Sequence, residues 1–245
     1  MAKKTLLKVF DVYLYDIETG KILGVQENLT STALSQAVEK AEIRNGRSNS
    51  KWSEIEYNKS VTFELSTNVF DKDMLALKCG VKPEEATEMY TEAFTETVSS
   101  SRELTLPATP KDGEEVQIIN PSTGEVISDE GYEVSGTTVT FDSLSNTDVR
   151  VLPYLTDASE KEVTEIVIDA DKFASAVKCV AKTVEVSEDS KVTNYVELVL
   201  NVAKPASNFS LTTSADVTNG NEDSITIEAL PDAKNKLATL RFIPV

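Results

Sequence analysis

Short apolar runs separated by turn-forming residues dominate the chain from residue 87 to its end. Within the runs apolar and polar side chains alternate, as Val196 and Leu198 do with Glu197, which is the two-residue period of a strand with one dry face. Many short strands at such spacing are typical of sandwiches and barrels. The sequence therefore predicts a mainly β fold, an antiparallel β-sandwich or barrel with one or two short helices.

The individual strands can be assigned from the same pattern. An opening strand is predicted over 8–15, a short one over 22–25, and later strands over 138–141, 149–154, 166–168, 177–186, 195–202, 209–213, 225–230 and 237–243. The stretch 87–98 fits a helix as well as an edge strand, and both remain open.

Two segments carry helix signals. In residues 30–41 apolar side chains recur at i, i+3, i+4 and i+7 behind the N-cap candidates Thr30 and Ser31, which predicts an amphipathic helix. A shorter helix is predicted between Asp71, a capping residue, and Gly80, which suits the left-handed conformation that ends a helix.

Between these segments lies a predicted hairpin. Residues 51–57 and 60–65 flank Asn58-Lys59, and apolar side chains alternate with polar ones in 60–65. We expect one dry and one wet face, with Glu54, Glu56, Thr62 and Glu64 on the wet face.

A basic loop precedes this hairpin. Arg44, Asn45, Gly46, Arg47 and Lys51 lie in a polar stretch with no apolar period, in a chain that is otherwise acidic. Such a loop favours ion pairing with an acidic surface, for instance that of another copy of the same chain, over a phosphate clamp.

Charge excludes several partners. The 245 residues hold 41 Asp and Glu against 24 Lys and Arg, a net charge of −17, and residues 84–133 alone contribute −11. A surface this negative repels nucleic-acid phosphates and anionic lipids. No stretch approaches the roughly 20 apolar residues of a membrane helix, and the first residues lack the apolar run of a secretion signal. We expect synthesis and folding in a reducing cytoplasm, with no membrane partner.

Residue types also restrict the chemistry. Without histidine the chain lacks Ser-His-Asp and Cys-His catalysis and the commonest zinc ligand. Cys79 and Cys179 have no metal-type spacing and are expected to be buried small side chains. Carboxylate pairs such as Asp169 and Asp171 keep a hydrolase as a third alternative. No cofactor or metal is predicted.

One further segment is rich in oxygen ligands. Residues 216–223 look like a calcium loop, but they lack the alternation and the final Glu of an EF-hand. A hairpin turn at Asn219-Gly220 is the preferred interpretation.

Several of these segments together resemble a known family. The run 41–52 followed by the alternating 60–65, and the later runs 166–173, 202–216 and 225–232, are similar in order and pattern to tail tube proteins, the major tail proteins of long-tailed bacteriophages. The likeness covers both ends of the chain. It implies a tail-tube-like domain over 1–245, with a β-rich acidic elaboration or a small Ig-like insertion at about 103–157.

The resemblance also implies a function. Such a subunit forms rings, hexameric in that family, that stack into a tube through which viral DNA passes as transient cargo. Its partners are copies of itself and other tail proteins: the tape measure, the baseplate or terminator, and in some tails a sheath. It is not an enzyme, it is assembled in the host cytoplasm, and it resides in the tail of the virion.

On this interpretation the two candidate sites acquire roles. The loop of Arg44, Asn45, Gly46, Arg47 and Lys51 would contact the next ring. The face with Glu54, Glu56, Thr62 and Glu64 would line an acidic channel that repels DNA, although a merely solvated exterior explains that face equally well. The alternative function is another β-sandwich virion component, such as a capsid decoration or an Ig-like adhesion protein.

Overall fold

Alternating apolar side chains organise the chain into antiparallel sheets, as the sequence predicts. The structure is a computed structural model that describes residues 4–46, 50–158, 161–211, 213 and 223–245. It divides into a first unit, formed by residues 1–83 and 166–245, and a second unit, formed by residues 84–165. The predicted addition at about 103–157 lies within the second unit, and its nature stays a prediction.

The elements follow one another along the chain in three groups. The first group is β1 (Lys4–Leu6), β2 (Asp11–Asp16), β3 (Ile22–Gln26), β4 (Leu29–Arg44), β5 (Lys51–Thr67) and α1 (Lys72–Cys79). The second group is β6 (Glu84–Glu85), β7 (Glu88–Tyr90), β8 (Phe94–Thr97), β9 (Glu103–Thr105), β10 (Ile118–Ile119), a 3-10 turn (Asp129–Gly131), β11 (Tyr132–Ser135), β12 (Thr138–Phe141), β13 (Asp148–Val151), β14 (Leu155–Asp157) and β15 (Thr164–Glu165). The third group is β16 (Val177–Ser187), β17 (Val192–Pro205), β18 (Asp223–Leu230) and β19 (Thr239–Pro244).

The first unit is built on one nine-stranded sheet. Its order is β3-β2-β16-β17-β18-β5-β4, with β1 also beside β16 and β19 also beside β17. The rings of Phe10, next to β2, and Phe63, in β5, meet edge to face with centroids 5.6 Å apart. Because three strands separate β2 from β5, the sheet must curl to enclose this core. Among the described residues β3 and β4 each pair on one side only, so the sheet is open and not a closed barrel.

The second unit is a small sandwich with its own core. Two three-stranded sheets, β10-β13-β8 and β11-β12-β9, contribute buried residues such as Ile118, Val139 and Phe141. The buried Tyr154 donates its hydroxyl hydrogen to the Ala108 carbonyl at 2.7 Å. β6 pairs with β15, so the chain enters and leaves this unit at adjacent points.

The short helix α1 forms where the sequence predicts it. The Asp71 side chain accepts hydrogen bonds from the backbone N–H groups of Asp73 and Met74, and Gly80 ends the helix at φ 71°. Lys78 is buried, and its ammonium lies 3.2 Å from both an Asp223 carboxylate oxygen and the Ser224 carbonyl. The helix is thereby fixed to the start of β18.

The helix predicted over 30–41 is wrong. These residues lie in the strand β4, which pairs with β5 along almost its entire length. Four apolar residues in this stretch have helical spacing, but they do not form the buried face of a helix. Leu34 and Ala37, for example, are exposed and pack against no core. Cross-strand hydrogen bonds to β5 decide the conformation, and tertiary pairing overrides a local pattern.

The hairpin predicted within 51–65 is also wrong. These residues belong to one continuous strand, β5, and Asn58 adopts a left-handed conformation, φ 47°, without reversing the chain. The strands predicted over 166–168 and 209–213 are not formed by the described residues there. The stretch 87–98 resolves into the strands β7 and β8.

The remaining predicted strands are formed. Residues predicted over 8–15, 22–25, 138–141, 149–154, 177–186, 195–202, 225–230 and 237–243 overlap β2, β3, β12, β13, β16, β17, β18 and β19, respectively. Cys79 and Cys179 are free and buried, as expected. The turn at Asn219-Gly220 lies outside the described residues, as does most of the calcium-like segment 216–223.

Candidate functional site: a projecting β-ribbon

The strands β4 and β5 form a ribbon that extends beyond the core of the first unit. Val61, Phe63 and Leu65 of β5 are buried, whereas all ten residues 51–60 are exposed. Most of the paired residues in β4 are exposed as well. A two-stranded ribbon with no layer against it is marginally stable by itself, so this part of the chain is suited to packing on another surface.

A bulge divides the ribbon. Ala37 is opposite Ser60 but Glu39 is opposite Tyr57, so β5 contains one residue more than β4 at this point. The left-handed Asn58 lies within the extra step. Such a bulge changes which face each later residue of the bulged strand occupies.

The predicted channel face is therefore split. Thr62 and Glu64 are opposite Ser35 and Ala33, which lie on one side of β4. Residues directly opposite each other in an antiparallel pair share a face. Thr62 is half-buried and Glu64 is exposed on this face.

The other two predicted residues lie on the reverse side. Glu54 is opposite Glu42, and Glu56 is opposite Lys40. Along β4, both Glu42 and Lys40 are an odd number of residues away from Ala33, the partner of Glu64. Successive residues of a strand point to opposite faces. The four carboxyl and hydroxyl side chains thus do not form one surface, because the sequence pattern contains no signal for the bulge.

Ion pairs cover the face with Glu54. The Lys40 ammonium lies 2.8 Å from Glu54 and 3.3 Å from Glu56. Hydrogen bonds from Lys40 and then Lys51, together with their charges, lower the pKa of the Glu54 carboxyl from its ordinary 4.5 to about 2. Hydrogen bonds to Glu54 and Glu56 raise the pKa of Lys40. The charges on this face therefore locally balance, and the Glu54 carboxyl stays ionised across the physiological pH range.

The basic loop is engaged in the same network. Arg44 lies 2.7 Å from Glu42, and the Lys51 ammonium lies 3.4 Å from that same carboxylate. The Asn45 N–H donates to the Ser50 carbonyl at 3.0 Å and closes the end of the ribbon. Gly46 lies in the turn, and Arg47 lies outside the described residues. Arg44 and Lys51 therefore already have acidic partners within their own chain.

The opposite face of the ribbon, which holds Thr62 and Glu64 near the core, carries a group of apolar side chains beyond the bulge, beside Glu39 and Ser53. Ala41 and Ile55 are directly opposite each other, and Ile43 and Tyr57 lie two residues away from them on the same face. Ile55 is 52% exposed and Tyr57 is 45% exposed. Trp52, in a second bulge near the tip, is 77% exposed. Sequence reasoning missed this face because the period of two in residues 37–43 was masked by the helical spacing.

These side chains offer little for catalysis. A general acid needs a raised carboxyl pKa, whereas the ion pairs lower that of Glu54. Burial raises the pKa of the Cys179 thiol to about 12, which disfavours the nucleophilic thiolate. Within the described ranges no cluster of three His, Cys, Asp or Glu side chains is suited to hold a metal ion.

Net charge is distributed very unevenly between the two units. Residues 84–165 hold 19 Asp and Glu against 4 Lys and Arg, a balance of −15. The first unit holds the other 22 acidic and 20 basic residues, a balance of −2. The unit that carries the large sheet and the ribbon is therefore nearly neutral, and most of the repulsion between copies of the chain comes from the second unit.

Comparisons with known proteins indicate the family to which the chain belongs. No helix in the described part of the chain has the length and apolar character needed to cross a membrane. No curated protein matches the sequence. The model of the YomU/Tube protein family matches residues 4–241, nearly the whole chain. The chain therefore belongs to the YomU/Tube protein family, which confirms the resemblance to phage tail tube proteins that its strand patterns predict.

Proposed function

We propose that this protein self-assembles into rings that stack into the tube of a phage tail. Membership of the tube family makes it a structural phage protein and a component of the virion. The finer proposal is a hexameric ring, a central channel for DNA passage, assembly in the host cytoplasm, and contact with the tape measure, the baseplate or terminator and, where present, the sheath.

The ribbon is the observation that carries this proposal. It extends as two strands with no covering layer, and Ile55 and Tyr57 are about half exposed on its apolar face. Exposed apolar surface of this kind marks a contact with another protein. A neighbouring copy that packs on this face would both cover it and hold the ribbon in place.

We assign the tip of the ribbon to contact between rings. Arg44, Asn45, Gly46 and Lys51 lie at the end of its two strands, and Arg47 belongs to the same sequence stretch but lies outside the described residues. The intramolecular partners of Arg44 and Lys51 are exposed carboxylates, and exposed ion pairs are weak enough to exchange. An acidic rim on the next ring can therefore replace Glu42 as the partner of Arg44.

We assign the channel wall to the part of the ribbon next to the core, where Thr62 and Glu64 lie, and the contact with a neighbouring copy to the outer part of the same face, with Ile55 and Tyr57. Glu228 is directly opposite Thr62 on β18 and is exposed, so this face carries carboxylates on two strands. Glu54 and Glu56 are on the reverse face, where Lys40 neutralises their field. A wall that lets a polyanion pass needs unneutralised negative charge or none at all, since basic side chains would bind phosphate.

The test is electron microscopy of the purified protein in negative stain at rising salt, which screens the −17 charge. We expect rings or tubes with a central hole. Some tubes grow only from a tail complex that initiates them, so the protein is also mixed with such a complex. A monomer or trimer at every salt concentration, with and without this complex, would contradict the proposal and favour the decoration or adhesion function.

A variant pair tests the role of the ribbon. Ile55→Asp places a charge on the exposed apolar face and should prevent assembly without unfolding the chain. Tyr90→Asp is the matched control, because Tyr90 is 63% exposed in the second unit. Assembly that is equally impaired in both variants would contradict the assignment of this face.

A further inference from the structure

The second unit contains a long strand edge that has no partner. β7 and β8 follow each other along β14 and β13, and the register does not change between them, since Tyr90 is opposite Leu155 and Phe94 is opposite Val151. Among the described residues β7 pairs only with β14, and β8 pairs only with β13. Residues 88–97 therefore present one edge, roughly 30 Å long, with unpaired backbone donors and acceptors.

Carboxylates and aromatic rings alternate along this edge. They are Glu88, Tyr90, Glu92, Phe94 and Glu96, spaced two residues apart, and residues two apart on a strand point to the same side. All of them except Glu88 line one groove of about 1230 Å³. Tyr90 is largely exposed and Phe94 is half-buried. The edge thus combines apolar surface with a carboxylate at every fourth residue.

The facing wall of the groove is held in place by hydrogen bonds. It consists of residues 105–112. The Thr156 hydroxyl donates to the Thr109 carbonyl at 2.7 Å, and the Lys111 N–H donates to the Leu155 carbonyl at 2.9 Å. The wall is therefore fixed before any partner binds, which lowers the entropy cost of binding.

The size of the groove indicates the kind of occupant. Sites for small molecules have volumes of roughly 300–1,000 Å³, and this groove is larger and lies beside a free strand edge. An extended peptide segment that adds as a strand satisfies the backbone groups of such an edge, while its side chains fill the neighbouring surface. A segment of a protein therefore fits this groove better than a small molecule does.

Charge indicates the composition of that segment. Lys111 forms an ion pair with Glu88, but Glu92, Glu96 and Asp112 form none with any described residue, and all three are exposed. The second unit has a balance of −15. Lys or Arg side chains on the bound segment would meet these carboxylates and reduce the repulsion among them.

We propose that the free edge of β7 and β8 binds an extended basic segment of another protein. The segment adds as a strand, places Lys or Arg opposite Glu92 and Glu96, and places apolar residues between them against Tyr90 and Phe94. The inference goes beyond the proposed function and does not depend on ring formation. The segment binds the monomer, so Tyr90 has no role in contact between copies.

The same side chains disfavour a second copy as the partner. Antiparallel pairing of this edge with itself would place Glu92 opposite Glu92 and Glu88 opposite Glu96, and like charges directly opposite each other destabilise a strand pair. Charged residues on an edge strand commonly prevent pairing of this kind. They also select a partner of opposite charge.

Titration of the full chain with a synthetic peptide tests the proposal. The probe is Lys-Thr-Val-Thr-Lys-Thr-Val-Thr-Lys with blocked ends and a fluorophore, whose Lys spacing matches that of the carboxylates. The control peptide is Lys-Lys-Lys-Thr-Thr-Val-Val-Thr-Thr, which has the same composition. Fluorescence anisotropy at low salt, where the chain is monomeric, should show at least about fivefold tighter binding of the probe, from its cross-strand pairs.

The peptide comparison separates a built site from general attraction. Attraction to a chain with a net charge of −17 does not depend on the order of residues in the peptide. Equal affinities of the two peptides, or no binding of the probe, would overturn the proposal.

A pair of double variants locates the site. Glu92→Gln with Glu96→Gln should weaken binding of the probe by about threefold or more. Glu125→Gln with Glu133→Gln is the matched control, because it removes the same charge from exposed residues of the second unit that do not line the groove. It should leave the affinity within about twofold of wild type, and equal losses in the two double variants would rule out the groove.

Hydrogen exchange tests the strand addition itself. Backbone N–H groups within residues 88–97 should exchange more slowly when the probe is bound, because an added strand accepts hydrogen bonds from them. Protection confined to other segments would place the peptide elsewhere. Protection of residues 88–97 that rises with protein concentration in the absence of peptide would show that a second copy occupies the edge. Either result would overturn the proposal and leave tube formation untouched.

Discussion

Among the glycines of the described residues, Gly80 is the one at which an added methyl group should cost the most. It ends α1 in the left-handed conformation, with φ 71° and ψ 26°, and its N–H donates to the Leu77 carbonyl at 3.1 Å. A Cβ built on Gly80 would lie 2.1 Å from the Phe173 carbonyl oxygen, 2.5 Å from its carbonyl carbon and 2.9 Å from its nitrogen. All three are backbone atoms, so no side-chain rotation can relieve the contact.

The cost of Gly80→Ala has two parts. The left-handed conformation disfavours a residue with a Cβ by about 1–2 kcal/mol. The contact adds the cost of moving the backbone at Phe173 by roughly 1 Å, for which overpacking of about 1–3 kcal/mol is the nearest measure. We therefore expect Gly80→Ala to lower the free energy of unfolding by about 2–5 kcal/mol.

Gly20→Ala is the matched control. Gly20 has nearly the same conformation, φ 68°, but a Cβ there would meet no atom within 4 Å. It should cost only the conformational part, about 1–2 kcal/mol. Urea unfolding of both variants, followed by circular dichroism at a concentration and salt that keep the chain monomeric, measures the difference. Costs that agree within about 0.5 kcal/mol would refute the role of the close approach to Phe173.

Four further outcomes are expected. Asp223→Ala should lower the free energy of unfolding by about 2–3 kcal/mol, because the buried Lys78 ammonium loses its carboxylate partner and keeps the Ser224 carbonyl. Lys78→Met removes the buried charge itself and should change the free energy of unfolding by less than about 1 kcal/mol. Equal losses in urea unfolding would contradict this difference. The Glu54 carboxylate, whose pKa is depressed, should keep its ion pairs from pH 4.5 up to the alkaline range in which Lys40 and Lys51 lose their protons, and should lose them as the pH falls through about 2. A carboxyl NMR titration with a midpoint near 4.5 would disprove the network. Arg44→Glu with Arg47→Glu should shorten tubes in electron micrographs while the monomer stays folded, and an unchanged length would exclude the tip as the contact between rings. Replacing six exposed Glu residues of the −15 second unit by Gln should lower the salt concentration needed for assembly, and an unchanged threshold in a sedimentation assay would show that this charge does not oppose assembly.

The split of the predicted channel face shows where pattern reading stops. Glu54, Glu56, Thr62 and Glu64 are separated by even numbers of residues, so a regular strand would place them together. The left-handed Asn58 inserts one extra residue relative to β4 and reverses this relation. Asn tolerates that conformation in a tight turn as well as in a bulge, and only the presence of a continuous partner strand decides between them.

The mistaken helix in β4 has a similar cause. Apolar residues that share one face of a helix are divided between the two faces if the same segment is a strand. Leu34 and Ala41, for example, occupy opposite faces of the ribbon. A helix satisfies its backbone hydrogen bonds within itself, whereas a strand needs a partner that is distant in sequence. The local signal in residues 30–41 therefore could not reveal that β5 was available.

Local physical chemistry in the sequence by itself determined the β class, the capped helix from Asp71 to Gly80, the buried cysteines and the likeness to tail tube proteins. These features depend on side-chain period and on contacts between near neighbours, which the sequence order contains. Only the tertiary structure decided that β4 is a strand, that Thr62 and Glu54 lie on opposite faces, and that β1 and β19 pair with β16 and β17 in the large sheet. Each of these depends on which distant strands pair and in what register, and strand pairing is a property of the whole chain.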